Sequence, residues 1–343
     1  MSERSEDAVA VSAPAEGRKL AKVGLLAAKM LFSFGLFAFL FTRMPLDHVV
    51  ANLKAADPLL LAAAGGMLFV SNVLGAWQWG HLLEAVGIRI PFRKVLGYYH
   101  VGLFFNNFLP ANIGGDIARV VHASRHGETR AAAVSTVVLD RLIGTVALAG
   151  LAVVTTLPAI NQFHLGVMYL SLVGFLCLSV IMLWGVLHPK VLPAIERVMS
   201  RVGLEFLEPH LEDLARRFAA YRSRGRLFAG LLSLATVIQV LRVGVHVLVA
   251  RALGVTLPIT YFLLFVPLLA VIVSLPISLN GIGVREGAGM VLFGLVGVEH
   301  SRAFSLQFTT YLVAVAVSLL GAVVLLGRFL RRSLQSRGPG RSS

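Results

Sequence analysis

The sequence predicts an all-α polytopic membrane protein with about six transmembrane helices and two re-entrant helical hairpins arranged as an inverted repeat. Three observations support this fold class. Of the 343 residues, 57% are hydrophobic and 14% are charged, against about 25% charged in a typical soluble domain. Several apolar runs reach the roughly 20 residues that a helix needs to cross a bilayer. Two further apolar regions are broken by proline and glycine, and their surroundings resemble each other.

The continuous apolar runs place six spans along the chain. They are predicted at about 23–41, 58–86, 130–157, 165–187, 227–253 and 302–327. The runs do not alternate with polar residues, which excludes the strands of an outer-membrane barrel. The first run is too long for the apolar core of a signal peptide, and we expect it to be retained as a span. Residues 42–57 are predicted as a short loop.

The predicted spans and their connections define one integral membrane domain. We assign residues 1–19 to a disordered cytoplasmic tail, 20–330 to the membrane domain and 331–343 to a basic cytoplasmic tail. Within the domain, repeat 1 covers about 20–160 and repeat 2 about 161–330. The segment 188–226 has an apolar stripe at helical spacing, which fits either an amphipathic helix on the cytoplasmic surface or an ordinary solvated connector.

The net charge of +14 is concentrated between the apolar runs and at the chain ends. Basic loops near 89–94, 119–130 and 188–226 and the basic C-terminal end should face the cytoplasm, which predicts a multi-pass protein of the cell inner membrane with both termini cytoplasmic. This placement suits anionic lipid rather than nucleic acid, which we do not expect as a partner. The single cysteine, Cys177, excludes an internal disulfide and a cysteine-rich metal site. We expect no metal and no cofactor.

Four landmarks recur at a nearly constant offset along the chain. The matched pairs are Gly87 with Gly254, Pro91 with Pro258, Pro110 with Pro276 and Arg119 with Arg285. The positive-inside rule puts the first turn inside, and counting spans puts the second outside, so the copies are inverted. Hairpins at 95–125 and 260–297 would then enter from opposite faces, with tips near the midplane. Broken helices that meet there are typical of alternating-access transporters.

Charged residues inside the apolar regions point to a binding site. Each costs about 2.5–3.5 kcal/mol at the bilayer centre on translocon scales. Four arginines (Arg119, Arg141, Arg242, Arg285) outnumber three carboxylates (Asp116, Asp140, Glu286). The excess positive charge suits an anionic substrate, and guanidinium groups match phosphate through paired hydrogen bonds. The alternative is mutual neutralisation that only fixes helix positions, with Asp116 paired to Arg119 or Arg141 and Glu286 to Arg285.

The predicted site combines these charges with the polar and glycine residues of the two breaks. Glycines precede two short helices whose N-terminal amides would be free to bind an anion at the same place. No catalytic, nucleotide-binding or metal-binding motif is present. The candidate substrate-binding residues are Asn106, Asn107, Pro110, Asn112, Gly114, Gly115, Asp116, Arg119, Asp140, Arg141, Arg242, Asn280, Gly281, Gly283, Arg285 and Glu286.

Three segments resemble a known family. GYYHVGLFFNNFLPANIGGDIAR, VVLDRLIGTVAL and LPISLNGIGVREG are similar to the transmembrane, flippase-like region of lysylphosphatidylglycerol synthases and of stand-alone proteins that share it. The resemblance implies movement of lipids with modified headgroups between leaflets. It also implies that twelve of the sixteen candidate substrate-binding residues, all except Asn107, Asn112, Arg242 and Asn280, lie at the family's polar centre. The full synthases carry a soluble aminoacyl-transferase domain after this region. The sequence ends in RRSLQSRGPGRSS instead, so we expect no aminoacylation.

The leading hypothesis is a flippase or transporter, not an enzyme, that moves an anionic or modified-headgroup phospholipid or a prenyl-phosphate lipid between leaflets. An alternative is an enzyme or accessory subunit in a polyprenyl-phosphate-sugar or lipid-modification pathway, in which Asp116, Asp140 and Glu286 supply an acid or base. A third is a structural partner that recruits a lipid-modifying enzyme through 188–226. The expected partners are a membrane lipid, that enzyme and a second copy of the chain.

Overall fold

A computed structural model describes residues 46–108, 114–127, 129–161, 166–188, 191, 217–218, 221, 224–274 and 281–336. The first predicted span, the N-terminal tail, both hairpin tips and most of the 188–226 segment lie outside the described residues. Ten α-helices and one short 3-10 turn make up the regular structure in these ranges. The helices are α1 Leu46–Lys54, α2 Pro58–Ala85, α3 Phe92–Phe108, α4 Gly114–Ala123, α5 Arg130–Thr156, α6 Gly166–Leu187, α7 Gly225–Ala252, α8 Ile259–Ser274, α9 Val284–Gly294 and α10 His300–Ser336.

Five of the described helices, α2, α5, α6, α7 and α10, are long and apolar enough to cross a membrane. Their bounds confirm the five spans that were predicted within this part of the chain. Two of them begin with side-chain caps on free backbone amides. Asp57 accepts hydrogen bonds from the amides of Leu59 and Leu60 at 2.8 and 3.3 Å, and Thr129 accepts one from Ala132.

The prediction of a loop at residues 42–57 was wrong, because helix α1 occupies Leu46–Lys54. Its sequence LDHVVANLK places apolar residues at positions one, four, five and eight, which is a single helical face. Val49 on this face is buried, and Asn52 donates a hydrogen bond to Ser305 of α10. A nine-residue amphipathic helix is too short to be recognised as a span. At the other end, α10 continues through part of the predicted C-terminal tail, to Ser336.

Helices α2 and α7 end in the same turn, which supports the internal repeat. After α2, the amide of Ile88 donates to the carbonyl of Leu83 at 2.9 Å; after α7, Val255 donates to Ala250 at 2.8 Å. The glycines of these turns, Gly87 and Gly254, have φ values of +82° and +70°. This left-handed region favours glycine, so the first matched landmark of the two copies reflects one shared helix-ending motif.

The spacing between equivalent helices of the two copies changes further along the chain. The first residues of α2 and α7 are separated by the same number of residues as the first residues of α3 and α8. The first residues of α5 and α10 are separated by a larger number. Asp116 and Glu286 lie in the first turns of α4 and α9 as described. The match of Arg119 with Arg285 stays a prediction, because the residues that precede Gly114 lie outside the described ranges.

The equivalent helices α2 and α7 run antiparallel. The amide of Asp57, which precedes α2, donates to the carbonyl of Ala252 at the end of α7 at 2.9 Å. Midway along the pair, Met67 lies against Gly244. The two copies also pack against each other in a reciprocal way. Helix α3 of the first copy packs on α10 of the second, and α8 of the second copy packs on α5 of the first. This arrangement is that of an inverted repeat.

Part of the polar segment 188–226 packs into the protein core. Phe218 and Tyr221 are buried in a cluster with residues of α2, α5 and α7. The Tyr221 hydroxyl donates a hydrogen bond to the carbonyl of Leu82 at 2.8 Å, and burial raises the pKa of this hydroxyl. At these two residues the segment anchors to the helix bundle rather than facing lipid or water.

Candidate functional site

A polar cavity of about 240 Å³ lies among helices α2, α3, α4, α5 and α7 and the end of α8. Residues from both copies of the repeat line it, because α7 and α8 belong to the second copy. Three arginines and one carboxylate contribute to its wall. The charged and polar lining residues are Gln78, Tyr99, Asn106, Arg119, Asp140, Arg141, Thr145, Gln239, Arg242 and Ser274.

Arg119 is held inside the cavity wall by one carboxylate and two aromatic rings. Its Nη2 lies 2.7 Å from Oδ2 of Asp140. The guanidinium carbon lies 4.4 Å from the ring centroid of Trp79 and 4.9 Å from that of Tyr99, distances at which a cation is attracted to the ring face. The Nε atom is buried and has no hydrogen-bond partner among the described residues.

Asp140 connects three helices. Besides Arg119 on α4, it accepts a hydrogen bond from Nε2 of Gln78 on α2 at 3.0 Å. Next to this contact, Nε1 of Trp79 donates to Oγ1 of Thr136 at 3.0 Å. Both carboxylate oxygens of Asp140 are engaged, and this network fixes α5 against α2 and α4.

A second ion pair joins α4 to α5. Nε and Nη2 of Arg141 lie 3.0 and 3.1 Å from the Asp116 carboxylate, the paired geometry that guanidinium groups favour. Arg119 also approaches Asp116, at 3.9 Å. The structure thus contains the ion pairs that the neutralisation alternative expected for Asp116. It also adds the Arg119–Asp140 pair, which the sequence did not suggest.

Arg242 differs from the other two arginines. It lies well inside α7 and lines the cavity. Among the residues that the structure describes, its guanidinium makes no ion pair and no hydrogen bond. Since Asp140 and Asp116 are paired with Arg119 and Arg141, the cavity keeps the positive charge of Arg242.

The close approach of α3 and α4 depends on glycines. The amide of Gly115 donates to Oδ1 of Asn106 at 3.0 Å. A Cβ atom at Gly115 would collide with the carbonyl oxygen of Gly102 and with the Asn106 side chain. Opposite, a Cβ at Gly102 would lie 2.9 Å from Cγ of Arg119. These residues therefore hold α4 in place, and the Gly115 amide is not free to bind a ligand.

Two predicted charged residues of the second copy, Arg285 and Glu286, do not line the cavity. The amide of Gly283 donates to Oε2 of Glu286 at 2.8 Å, so the buried Glu286 caps its own helix, α9. Arg285 lies with its guanidinium carbon 4.6 Å from the ring centroid of Tyr311. Neither residue lines the cavity, where the second copy supplies Gln239, Arg242 and Ser274.

The structure thus brings together Asn106, Arg119, Asp140, Arg141 and Arg242, with Asp116 paired to Arg141. Gly114 begins α4, whereas Asn107 and Gly281 are not in the cavity lining. Three predicted residues, Pro110, Asn112 and Asn280, lie outside the described residues. The polar lining residues that the prediction missed are Gln78, Tyr99, Thr145, Gln239 and Ser274. The sequence did contain a signal for Gln78. Its side-chain amide lies inside an apolar span, where a polar group needs a hydrogen-bond partner within the protein.

A metal site has no support in the described ranges. They contain no group of three His, Cys, Asp or Glu residues that could hold a metal ion. The carboxylates at the cavity are instead held by arginine and glutamine, as shown above. The lining thus combines three arginines and one carboxylate with amide and hydroxyl groups.

The fold and the cavity define an integral membrane protein whose two inverted copies surround an arginine-lined pocket. The chain belongs to the family described as the lysylphosphatidylglycerol synthase TM region, whose sequence profile matches residues 26–322. This result confirms the resemblance found in the sequence. The chain is also similar to a UPF0104 membrane protein from Pyrococcus horikoshii, with 23% identity over 308 residues, which cover 82% of this chain and 90% of that protein.

Proposed function

We propose that the protein moves a lipid with an anionic, phosphate-containing headgroup between the leaflets of the inner membrane. The observation that carries the proposal is the charge of Arg242, which lines the cavity without a described counter-charge. An unpaired arginine inside an apolar helix is costly. A bound anion would offset this cost each time that the cavity is occupied.

The short helices give the headgroup a route across the bilayer. The described parts of helices α3, α4, α8 and α9 have 17, 10, 16 and 11 residues. At 1.5 Å per residue each described part is shorter than the roughly 30 Å hydrocarbon core. We propose that α3 with α4, and α8 with α9, are re-entrant hairpins that enter from opposite faces, with both chain termini in the cytoplasm. Broken helices are tolerated at that depth only where they line a wet cavity or pack in protein.

The arginines would act in sequence on the headgroup. Arg242 makes the first contact, because Arg119 and Arg141 are already paired with carboxylates. Phosphate then competes with Asp140 and Asp116 for these two guanidinium groups, which bind phosphate in the same paired geometry as carboxylate. Release follows when the carboxylates recover their partners. In this exchange the phosphate replaces each displaced carboxylate as the partner of its arginine.

The size of the cavity limits what it can hold. Ligand pockets for drug-sized molecules typically measure about 300–1,000 Å³, and this cavity measures about 240 Å³. It can enclose a phosphate headgroup but not the hydrocarbon chains of a lipid. The chains would therefore stay at the lipid-facing surface of the protein while the headgroup crosses.

An enzymatic role is less well supported by the same contacts. A general base needs a carboxylate that can reach the substrate proton. Both oxygens of Asp140 are engaged, Asp116 is held by Arg141, and Glu286 caps α9 away from the cavity. Formation of a new glycolipid from a nucleotide sugar by the purified protein would favour the enzymatic alternative.

The proposal is tested by reconstitution in liposomes. Fluorescent phospholipids and prenyl phosphates are incorporated, and a membrane-impermeant quencher reports how fast each probe becomes accessible from outside. We expect liposomes that contain the protein to exchange at least one anionic probe faster than protein-free liposomes. Equal rates with and without protein, for every probe in the panel, would contradict the proposal.

A further inference from the structure

An apolar groove of about 420 Å³ runs between α4 and α5 on the outside of the helix bundle. Its wall is aliphatic except for two charged residues. Ile117 at its edge is 57% exposed, so the groove opens to the surroundings of the bundle. The lining residues are Asp116, Ile117, Val120, Val134, Val137, Val138, Arg141 and Leu142.

The groove has a polar end and an apolar end. Asp116 lies in the first turn of α4 and pairs with Arg141, whereas Val120 lies one turn further along α4. Val134 lies two turns before Arg141 on α5. The two helices are therefore antiparallel, and the aliphatic part of the groove runs from the ion pair toward the connection at 124–129.

Arg141 belongs to both the groove and the polar cavity. Its side chain is half exposed, and the partner Asp116 is 23% exposed. The Asp116–Arg141 pair thus stands between a compartment that suits an anion and one that suits hydrocarbon. The two compartments together match the two parts of an amphiphile.

We propose that the α4–α5 groove binds a hydrocarbon chain of the same lipid whose phosphate headgroup occupies the arginine-lined cavity. The inference rests on the proposed function and adds where the chain lies. The occupant is a chain attached to a phosphate, because an isolated chain would leave the positive charge of Arg242 in the adjoining cavity without an anion. The Asp116–Arg141 pair lies where the headgroup and the chain of this lipid join.

The first experiment measures binding of two probes to the purified full chain in nanodiscs. Hexadecyl phosphate carries headgroup and chain, and glycerol phosphate carries the headgroup alone. Val134→Trp fills the groove, and Val154→Trp is the matched control, since Val154 is on the same helix, 69% exposed and outside the groove. We expect Val134→Trp to weaken hexadecyl phosphate binding about tenfold, equivalent to loss of about two buried methylene groups. Glycerol phosphate binding should be unchanged in both variants.

The outcomes separate this inference from the proposed function. Unchanged hexadecyl phosphate binding in Val134→Trp, with both probes bound by the wild type, would overturn the groove and leave the cavity proposal standing. Failure of both probes to bind the wild type would overturn the proposed function and the groove with it. An equal loss of hexadecyl phosphate binding in Val154→Trp would show a general effect of tryptophan and would overturn the proposal that the groove binds the chain.

A second experiment needs no substitution. Hexadecyl phosphate with a photoreactive group on the chain is cross-linked to the wild-type protein, and labelled peptides are identified by mass spectrometry. We expect labels in 116–120 and 134–142 that excess hexadecyl phosphate removes and excess hexadecanol does not. Labels elsewhere only, or equal competition by hexadecanol, would overturn the proposal.

Discussion

Arg119 of α4 and Asp140 of α5 form an ion pair of 2.7 Å, with side-chain exposures of only 7% and 10%. Trp79 and Tyr99 cover the guanidinium on its faces, and Gln78 occupies the other carboxylate oxygen. The pair attaches a short helix of the first copy to a membrane-spanning helix. It is therefore both part of the cavity and part of the structure that shapes it.

Breaking this pair from one side should destabilise the protein strongly. Asp140→Asn leaves the buried Arg119 with only the more distant Asp116, at 3.9 Å, as a counter-charge among the described residues, and breaking a buried ion pair from one side typically costs about 3–5 kcal/mol. The double variant Arg119→Gln with Asp140→Asn should lose less than the sum of the two single variants. Thermal unfolding of the purified proteins measures this coupling in a double-mutant cycle. Strict additivity would show that the pair does not stabilise the fold.

The contact of Gly115 with Gly102 predicts a strict size limit. Gly115→Ala introduces a Cβ atom that collides with backbone and with Asn106, and overpacking of this kind costs about 1–3 kcal/mol. Gly150→Ala on α5 is the matched control, because nothing lies within 4 Å of its Cβ. The control should keep or raise the melting temperature, since alanine favours helix. Equal melting temperatures for the two variants would argue against the close approach.

Glu286 should contribute to stability rather than to ligand binding. Glu286→Ala removes the cap from the Gly283 amide, with an expected cost of about 1 kcal/mol. Glu286→Gln keeps an oxygen acceptor and should recover much of this loss. Binding of glycerol phosphate should be the same in both variants and in the wild type. A loss of binding in Glu286→Gln would instead implicate its charge in the site.

The repeated turns after α2 and α7 should respond alike to substitution. Gly87→Ala and Gly254→Ala place a side chain in the left-handed region, at a cost of about 1–2 kcal/mol each. No atom lies within 4 Å of either Cβ, so the backbone alone determines the effect. Gly66→Ala in α2 serves as the control, with a Cβ that also meets nothing. Thermal unfolding should show two similar losses and none for the control.

The sequence predicts the five described spans closely, because continuous apolar runs define membrane helices by themselves. It also predicts the inverted repeat, because Gly87 and Gly254 mark the same turn. Helix α1 and the cavity residues Tyr99 and Ser274 follow only from packing, which a single sequence does not display.

Intramembrane charge predicted part of the cavity but not all of its ion pairs. Intramembrane charge grouped four arginines with three carboxylates. The structure brings Arg119, Asp140, Arg141 and Arg242 together at the cavity, whereas Arg285 and Glu286 are not in its lining. Charge alone does not reveal that two carboxylates neutralise two of the arginines and leave Arg242. That division depends on the antiparallel contact of α4 with α5, which sets the partners of each guanidinium.

The central claim is tested most directly by comparing Arg242→Gln with Arg251→Gln in the liposome exchange assay. Arg251 is in the last turn of the same helix, is exposed and lies outside the cavity. We expect Arg242→Gln to lower the exchange rate of the anionic lipid about tenfold or more, equivalent to about 1.4 kcal/mol, while its melting temperature is unchanged or higher because a costly charge is removed. Arg251→Gln should exchange lipid as the wild type does. Wild-type exchange by folded Arg242→Gln would contradict the account.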